Sequence, residues 1–321
     1  MKILRRIGRV MGCLMLVLVI FISYLCISHH IKLKGEEHLA KGSYGKLISV
    51  EGKKMCVEVV GEGEDIIILL PGLGSVSPVL EMRPIANALK THYTVVTIEP
   101  FGYGLSDTTE RPRTISNIVD ELHEAIKTLG YDHYVMMGHS MSGAYSLKYA
   151  DTYPDEVKAY IGIDSTVPKQ ILVEEGEESS LGYNLLRLMN QLGIYRFLAE
   201  HDEQGMMPQI EGYTYTENER KVYEALAYKN LLNDNMMAEF KNSKKNLNEI
   251  LEIKFPDQIP VFYFLASENC NKTPQWEMLH KDVITNKSKS RVVILEGEHY
   301  LHYRYVDEMA NQVYKWLNEI K

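Results

Sequence analysis

The sequence predicts an α/β fold: a mostly parallel, doubly wound sheet with a block of helices inserted late in the chain, preceded by one transmembrane helix. Three observations predict it. Short apolar runs alternate with amphipathic stretches from about residue 46 to residue 321. An interval of about ninety residues, Ser165 to Phe255, breaks that alternation without a convincing strand. Val10 to Ile27 is an uncharged run of 18 residues. Strand-then-helix alternation is the mark of a sheet covered on both faces.

At about 1.5 Å per residue, the uncharged run spans about 27 Å, close to the hydrocarbon core of a bilayer. Lys2, Arg5, Arg6 and Arg9 precede it, whereas only Lys32 and Lys34 follow closely, diluted by Glu36 and Glu37. This bias predicts a single-pass protein of the cell membrane, with its N-terminus in the cytoplasm and its body outside. A cleaved signal peptide has an apolar core of about 7–15 residues and a small-residue cleavage site. Here the run is longer and Cys26-Ile27-Ser28 makes a poor site, so residues 1–34 read as an uncleaved anchor with its flanks. Those 34 residues hold six basic side chains and no acidic one, so the rest of a chain of net charge −8 carries −14. Such a body is repelled by an anionic lipid surface and is expected to stand off the bilayer on a tether. The same acidity argues against a nucleic-acid partner. Four cysteines in 321 residues, with no C-x-x-C pair, do not make a disulfide-stapled fold.

Leu47–Val50 and Met55–Val60, joined at Glu51-Gly52, read as an antiparallel hairpin. Six continuous apolar runs follow: Ile66–Leu70, Thr94–Ile98, Tyr134–Met137, Tyr160–Ile163, Val261–Leu265 and Val292–Leu295. Continuous rather than alternating hydrophobicity suits strands buried on both faces of a parallel sheet. Ile115, Ile118, Val119, Leu122, Ile126 and Leu129 share one helical face that ends at Gly130. Val306, Met309, Val313, Trp316, Leu317 and Ile320 do the same at the C-terminus. The interval from about 165 to 255 opens with an acidic loop (Glu174, Glu175, Glu177, Glu178). It continues as helices around Tyr183–Phe197 and Glu217–Phe240, the second with a Thr216/Glu219 capping box. It reads as a helical cap.

Gly138-His139-Ser140-Met141-Ser142-Gly143 follows the run Tyr134–Met137 and opens a helical stretch. A sharp strand-to-helix turn lifts a serine hydroxyl clear of the sheet and tolerates only small residues two positions away on each side. Gly138 and Ser142 meet that condition, as G-x-S-x-S rather than G-x-S-x-G. Ser140 is therefore the candidate nucleophile. Pro71-Gly72-Leu73-Gly74-Ser75 leaves another strand as a loop whose glycines let backbone N–H groups face a reacting carbonyl oxygen. The candidate oxyanion donors are the N–H groups of Leu73 and Met141, the latter also at a helix N-terminus. Gly297-Glu298-His299 follows the last strand, which makes His299 the candidate base among 11 histidines. His299-x-x-His302 has a metal-pair spacing, but no suitably spaced third ligand accompanies it, and His302 is expected to pack at the start of the last helix. His139 is expected to support the turn. Tyr183, Leu185, Met189 and Leu192 read first as the ordinary core of the cap, and second as an apolar acyl pocket.

Residues 46–321 resemble the α/β-hydrolase superfamily, in particular its capped esterases and lipases. Four motifs carry the resemblance, in the expected order: Pro71–Gly74, Gly102-Tyr103-Gly104-Leu105-Ser106-Asp107, Gly138–Gly143, and Gly297-Glu298-His299 with His302. The resemblance implies a serine hydrolase acting on a carboxylic ester or related acyl substrate, with no cofactor or metal. It implies a triad whose acid lies nine residues past Pro260, where this chain has Asn269. The neighbouring Glu268 is then the first candidate acid. Asp164, 24 residues past Ser140, is the alternative, because some members place the acid there. Asn269 itself is the third. The doubtful acid leaves room for a non-catalytic, hydrolase-fold binding protein at the cell surface, and the resemblance also admits a peptidase acting on N-terminal residues. Serine at position 140 argues against the aspartate-nucleophile chemistry of dehalogenases and epoxide hydrolases.

Overall fold

A computed structural model describes residues 2–173, 180–201 and 206–321. The acidic loop at Glu174–Glu178 lies outside the described residues. Eight strands form one sheet: β1 (Lys46–Val50), β2 (Lys53–Val60), β3 (Ile66–Leu70), β4 (Thr94–Glu99), β5 (Tyr134–His139), β6 (Val157–Ile163), β7 (Val261–Ala266) and β8 (Arg291–Leu295). Their spatial order is β1-β2-β4-β3-β5-β6-β7-β8. The β1–β2 hairpin and the β2–β4 pair are antiparallel, and every pair from β4 to β8 is parallel. The chain reverses its direction of growth at β3 and β5, so their C-terminal ends flank a crevice of the kind in which α/β sheets bind ligands.

Helix α1 (Lys2–Ala40) precedes the sheet. The sheet is then flanked by α2 (Pro78–Leu89), α3 (Ile115–Thr128), α4 (Ser142–Thr152) and, after the cap, α9 (Ser267–Lys272), α10 (Trp276–Asp282), α11 (Leu301–Arg304) and α12 (Val306–Glu319). The cap holds α5 (Ser180–Gln191), α6 (Ile194–Ala199), α7 (Glu217–Asn230) and α8 (Asp234–Glu249). Successive strand residues point to opposite faces. Ile68, Val96, Met136, Tyr160 and Tyr263 therefore pack with residues of α3 and α4, while Ile67, Val95, Val135, Ile161 and Phe262 pack with residues of α2 and α12.

Helix α1 departs from the sequence reading. Its first part is long and apolar enough to cross a membrane. The expected tether after it is absent, because the helix runs unbroken to Ala40. Residues 28–40 contain no proline, and Leu25, His29 and Ala40 form a buried stripe at helical spacing. That stripe packs on the cap. Gly193, between α5 and α6, has a φ of 74°, and a Cβ there would lie 2.5 Å from the Leu25 carbonyl oxygen, so only glycine lets the two backbones approach so closely. Arg196 of α6 donates to both Glu36 oxygens at 2.6 and 2.7 Å and, through Nε, to His29 Nδ1 at 3.1 Å. Its guanidinium lies 3.8 Å from the centre of the Tyr228 ring.

Candidate active site

The turn after β5 has the strain the motif demands. Ser140 sits at φ 53°, one of four described non-glycine residues in the left-handed region. Neighbouring backbone over-determines that conformation. The Ser140 N–H donates to Ile163 O at 3.3 Å, and the Ser140 carbonyl accepts from Gly143 N at 2.9 Å and Thr166 N at 2.8 Å. A Cβ at Gly143 would lie 2.5 Å from Thr166 O, and one at Gly72 would lie 2.7 Å from His139 Nδ1 and 3.2 Å from Ser140 Cβ. These close approaches are why glycine stands at both places. The Ser142 hydroxyl, where the motif departs from glycine, donates to the Pro71 carbonyl and so ties the start of α4 to the β3–α2 loop.

That loop is also held from behind. Glu81 of α2 accepts from Ser75 Oγ (2.7 Å), Val76 N (2.8 Å), Ser77 N (3.2 Å) and Tyr223 Oη of the cap (3.1 Å). Burial raises its carboxyl pKa against the pull of these donors. Among the described residues, the N–H groups of Leu73 and Met141 donate to no protein acceptor. Both residues line one cavity of about 810 Å³, together with Ser140, Asp164 and His299. The N–H groups of Leu73 and Met141 therefore remain available to an oxyanion.

His299 Nδ1 lies 2.7 Å from Asp164 Oδ2. That bond leaves Nε2 as the ring nitrogen for a serine proton. Among the described residues no hydrogen bond joins Ser140 to His299; such contacts commonly tighten only around bound substrate. Asp164 follows β6 at φ 39° with no exposed surface. It also accepts from Ala266 N (2.9 Å), Trp276 Nε1 (3.0 Å) and the Asn269 amide. Burial alone would raise the Asp164 carboxyl. The His299 hydrogen bond, the Ala266 N–H, the His299 charge and the Trp276 indole outweigh burial and hold it below the usual aspartate value.

The ranking of Glu268 as first candidate acid is corrected by this geometry. Glu268 lies in the first turn of α9, partly exposed, and its carboxylate pairs with Lys272 at 3.4 Å. The carboxylate beside His299 comes from the end of β6, not from the loop after β7. Asn269, at the position where the resemblance implies the acid, instead donates to that carboxylate. Parallel pairing of Ile163 with Phe264 brings the two strand ends together.

His139 supports the turn through the backbone, with Nε2 3.3 Å from the His299 carbonyl oxygen. Burial, then repulsion by His302 and His299, drives its pKa well down, so it stays neutral. His302 is buried too, and burial followed by the His299 charge pushes it down to about 3. Among the described residues, no group of three or more His, Cys, Asp or Glu is arranged to hold a metal ion. Of the four residues read as an acyl pocket, only Tyr183 lines the cavity, stacked on Phe240 with ring centres 4.5 Å apart. Leu185 is 55% exposed. Met237 and Phe240 of α8 supply the apolar wall instead, and Trp276 braces the Asp164 carboxylate; nothing in their local sequence marks either position.

Comparison with known proteins gives three kinds of match. A family model described as alpha/beta hydrolase fold matches residues 65–304. An uncharacterized protein of Bacillus subtilis, YbdG, is 26% identical over 88% of this chain and 86% of its own. The 2-(acetamidomethylene)succinate hydrolase of Mesorhizobium japonicum is 31% identical, but over only 32% of this chain and 36% of the enzyme. Among solved structures, a Vigna radiata epoxide hydrolase variant superposes with a TM-score of 0.64 at 18% identity, covering 85% of this chain and 98% of that one. A Bradyrhizobium elkanii haloalkane dehalogenase variant gives 0.58 at 16%, covering 86% and 96%. At such identities the solved structures speak for the fold alone.

Proposed function

Because the chain belongs to the α/β-hydrolase family, we propose that it is a serine hydrolase that cleaves a carboxylic ester or related acyl bond through an acyl-enzyme. One observation carries this reading: a serine on a left-handed bend lines the same cavity as a histidine hydrogen-bonded to a buried carboxylate. Ser140 Oγ attacks the acyl carbonyl and passes its proton to His299 Nε2. Asp164 fixes the tautomer at Nδ1 and stabilises the imidazolium. The N–H groups of Leu73 and Met141 take the oxyanion. His299 returns the proton to the leaving alkoxide, and water then repeats the sequence to release the acid. A carboxylate at His299 removes what favoured a non-catalytic binding protein.

A fluorophosphonate probe tests the reading directly. The wild-type protein is expected to be labelled and Ser140→Ala is not; equal labelling, or none in either, overturns it. We also read residues 10–27 as the anchor of a single-pass protein of the cell membrane, with the body outside, on the strength of the basic residues before the apolar run. Protease added to intact cells then cleaves the body. Protection until lysis would reverse the orientation.

A further inference from the structure

The contacts between α1 and the cap sort by position along the α1 axis. Furthest toward the body, Glu36 pairs with Arg196, and Lys32 pairs with Glu200 at 2.7 Å. Lower down, Cys26 Sγ meets the Gln191 carbonyl and Leu25 is buried. Lower still, Phe21 meets Phe197 edge to face, with ring centres 5.7 Å apart. Phe21 lies six residues inside Ile27, the end of the uncharged run, which is about 9 Å along a helix.

The span has little room to slide. Arg5, Arg6 and Arg9 close it on one side. A hydrocarbon core takes about 20 residues, so one that begins at Val10 ends near His29. If the arginines snorkel by a full turn, it still reaches about Leu25. Phe21 is inside the hydrocarbon either way, and the Phe197 ring, its centre 5.7 Å away, lies within about one helical turn of that depth.

That neighbour is α6, and it does not stand alone. Phe197 and Leu198 of α6 are 37% and 53% exposed. On α5, Leu181, Leu185 and Leu188 are 75%, 55% and 49% exposed and form one stripe at i, i+4 and i+7. Five large apolar side chains on two short, adjacent helices are costly in water, at about 25 cal/mol per Å² of apolar area. Phe197 adjoins the exposed apolar surface of α1 at Phe21, and α5 packs beside α6. Across α5 from that stripe, Tyr183 lines the cavity that holds Ser140.

We propose that the exposed apolar faces of α5 and α6, Leu181, Leu185, Leu188, Phe197 and Leu198, are immersed in the lipid leaflet next to the body, and that the site draws its substrate, an acyl ester dissolved in that leaflet, around α5 from the bilayer. The proposal rests on the reading of residues 10–27 as a membrane span, and it narrows the substrate class of the proposed hydrolase. Rigid docking of α1 on the cap sets the depth, so the acidic body need not be attracted to the lipid surface.

The test uses the full chain in phosphatidylcholine vesicles. The two native tryptophans, Trp276 and Trp316, are both buried, so Leu188→Trp and Leu198→Trp add distinguishable emission. Lipid brominated in its acyl chains is expected to quench that added emission by about twofold or more, while Ile294→Trp on the edge strand β8 is unaffected. The double variant Leu188→Glu/Leu198→Glu is expected to lose about tenfold of its activity on a long-chain ester held in the vesicles, and to keep its rate on water-soluble p-nitrophenyl acetate. Added emission left unquenched in protein that survives a carbonate wash overturns the proposal while the anchor stands. Equal loss on both esters, or loss on neither, overturns the substrate route. Leu188→Cys forming a disulfide with a second copy, in place of lipid quenching, assigns the face to a dimer and overturns immersion. Release by carbonate fells the anchor and the proposal together. Absence of any esterase activity fells the hydrolase reading and the substrate route, and the quenching result still decides immersion.

Discussion

Four donors converge on the Asp164 carboxylate, and His299 Nδ1 and the Asn269 amide share the same oxygen. Asp164→Asn keeps the shape, removes the charge and turns one acceptor into a donor facing other donors. The kcat on p-nitrophenyl acetate is expected to fall by about four orders of magnitude, with the far-UV circular dichroism unchanged. Glu268→Gln, at an ion pair near the surface, is expected to stay within about twofold of wild type. Because Asn269 and His299 meet at one oxygen, a carboxylate at 269 would lie beside the ring. The double variant Asp164→Asn/Asn269→Asp is therefore expected to regain at least about tenfold of the loss. Loss at Glu268 with none at Asp164 would return the acid to the loop after β7. The strained turn at Ser140 and the loop that places His299 in the same cavity were legible in the sequence because each motif is local, a few consecutive residues leaving a strand. The carboxylate beside His299 was legible only as three candidates. Its identity depends on which strand end comes alongside another, a matter of β6–β7 register that no local pattern carries.

Among the elements, strands β3 to β7 were readable because each is buried on both faces and so nearly continuously apolar. The end of β4 hides a charge that this pattern does not announce. Glu99 is fully buried and accepts from Leu105 N (2.7 Å), Tyr44 Oη (3.0 Å), Ser77 Oγ (3.2 Å) and Val79 N (3.2 Å). It thus joins the G-x-G-x-S-D loop to the start of α2 and to the segment after α1. Burial pushes its pKa up to about 7 in spite of these donors. A carboxyl raised in the folded state binds its proton more tightly there than in the unfolded chain. Its contribution to stability is therefore complete below the unfolded value, about 4.5, and is lost as pH rises toward about 7. The loss is expected to amount to about 3 kcal/mol, from 1.36 kcal/mol per pKa unit. Melting of wild type against Glu99→Gln from pH 4 to 8 checks this: wild type falls relative to the variant across that window and runs parallel to it below. A constant offset at all pH values would mean that Glu99 ionises normally.

On the scale of the whole molecule, α1 joins the apolar run proposed as an anchor to part of the folded body, and the two overlap from Phe21, which meets Phe197, to Ile27, where the run ends. Beyond that point, His29, Ala40 and Tyr44 are buried, and Tyr44 bonds Ser77 Oγ at 2.7 Å and Glu99 at 3.0 Å. A stripe at Leu25, His29, Leu33, Glu36 and Ala40 carries this continuation in the sequence, but charged residues surround it after Ile27, so hydropathy does not announce it. A chain beginning at Ser28 loses the apolar run yet keeps those contacts. One beginning at Lys46 keeps every motif of the fold and the site, but loses them. Removing the Tyr44 side chain from its pocket forfeits about 2–3 kcal/mol of apolar burial, and its two buried hydrogen bonds forfeit about 1 kcal/mol each. For a body of this size, about 4 kcal/mol corresponds to a melting point about 10 °C lower. The chain from Ser28 is expected to melt close to the full-length protein in detergent, and the chain from Lys46 well below it, by differential scanning calorimetry. Equal melting of the two shortened chains would show that the segment from His29 to Tyr44 adds nothing to the body, and α1 would then be an anchor alone.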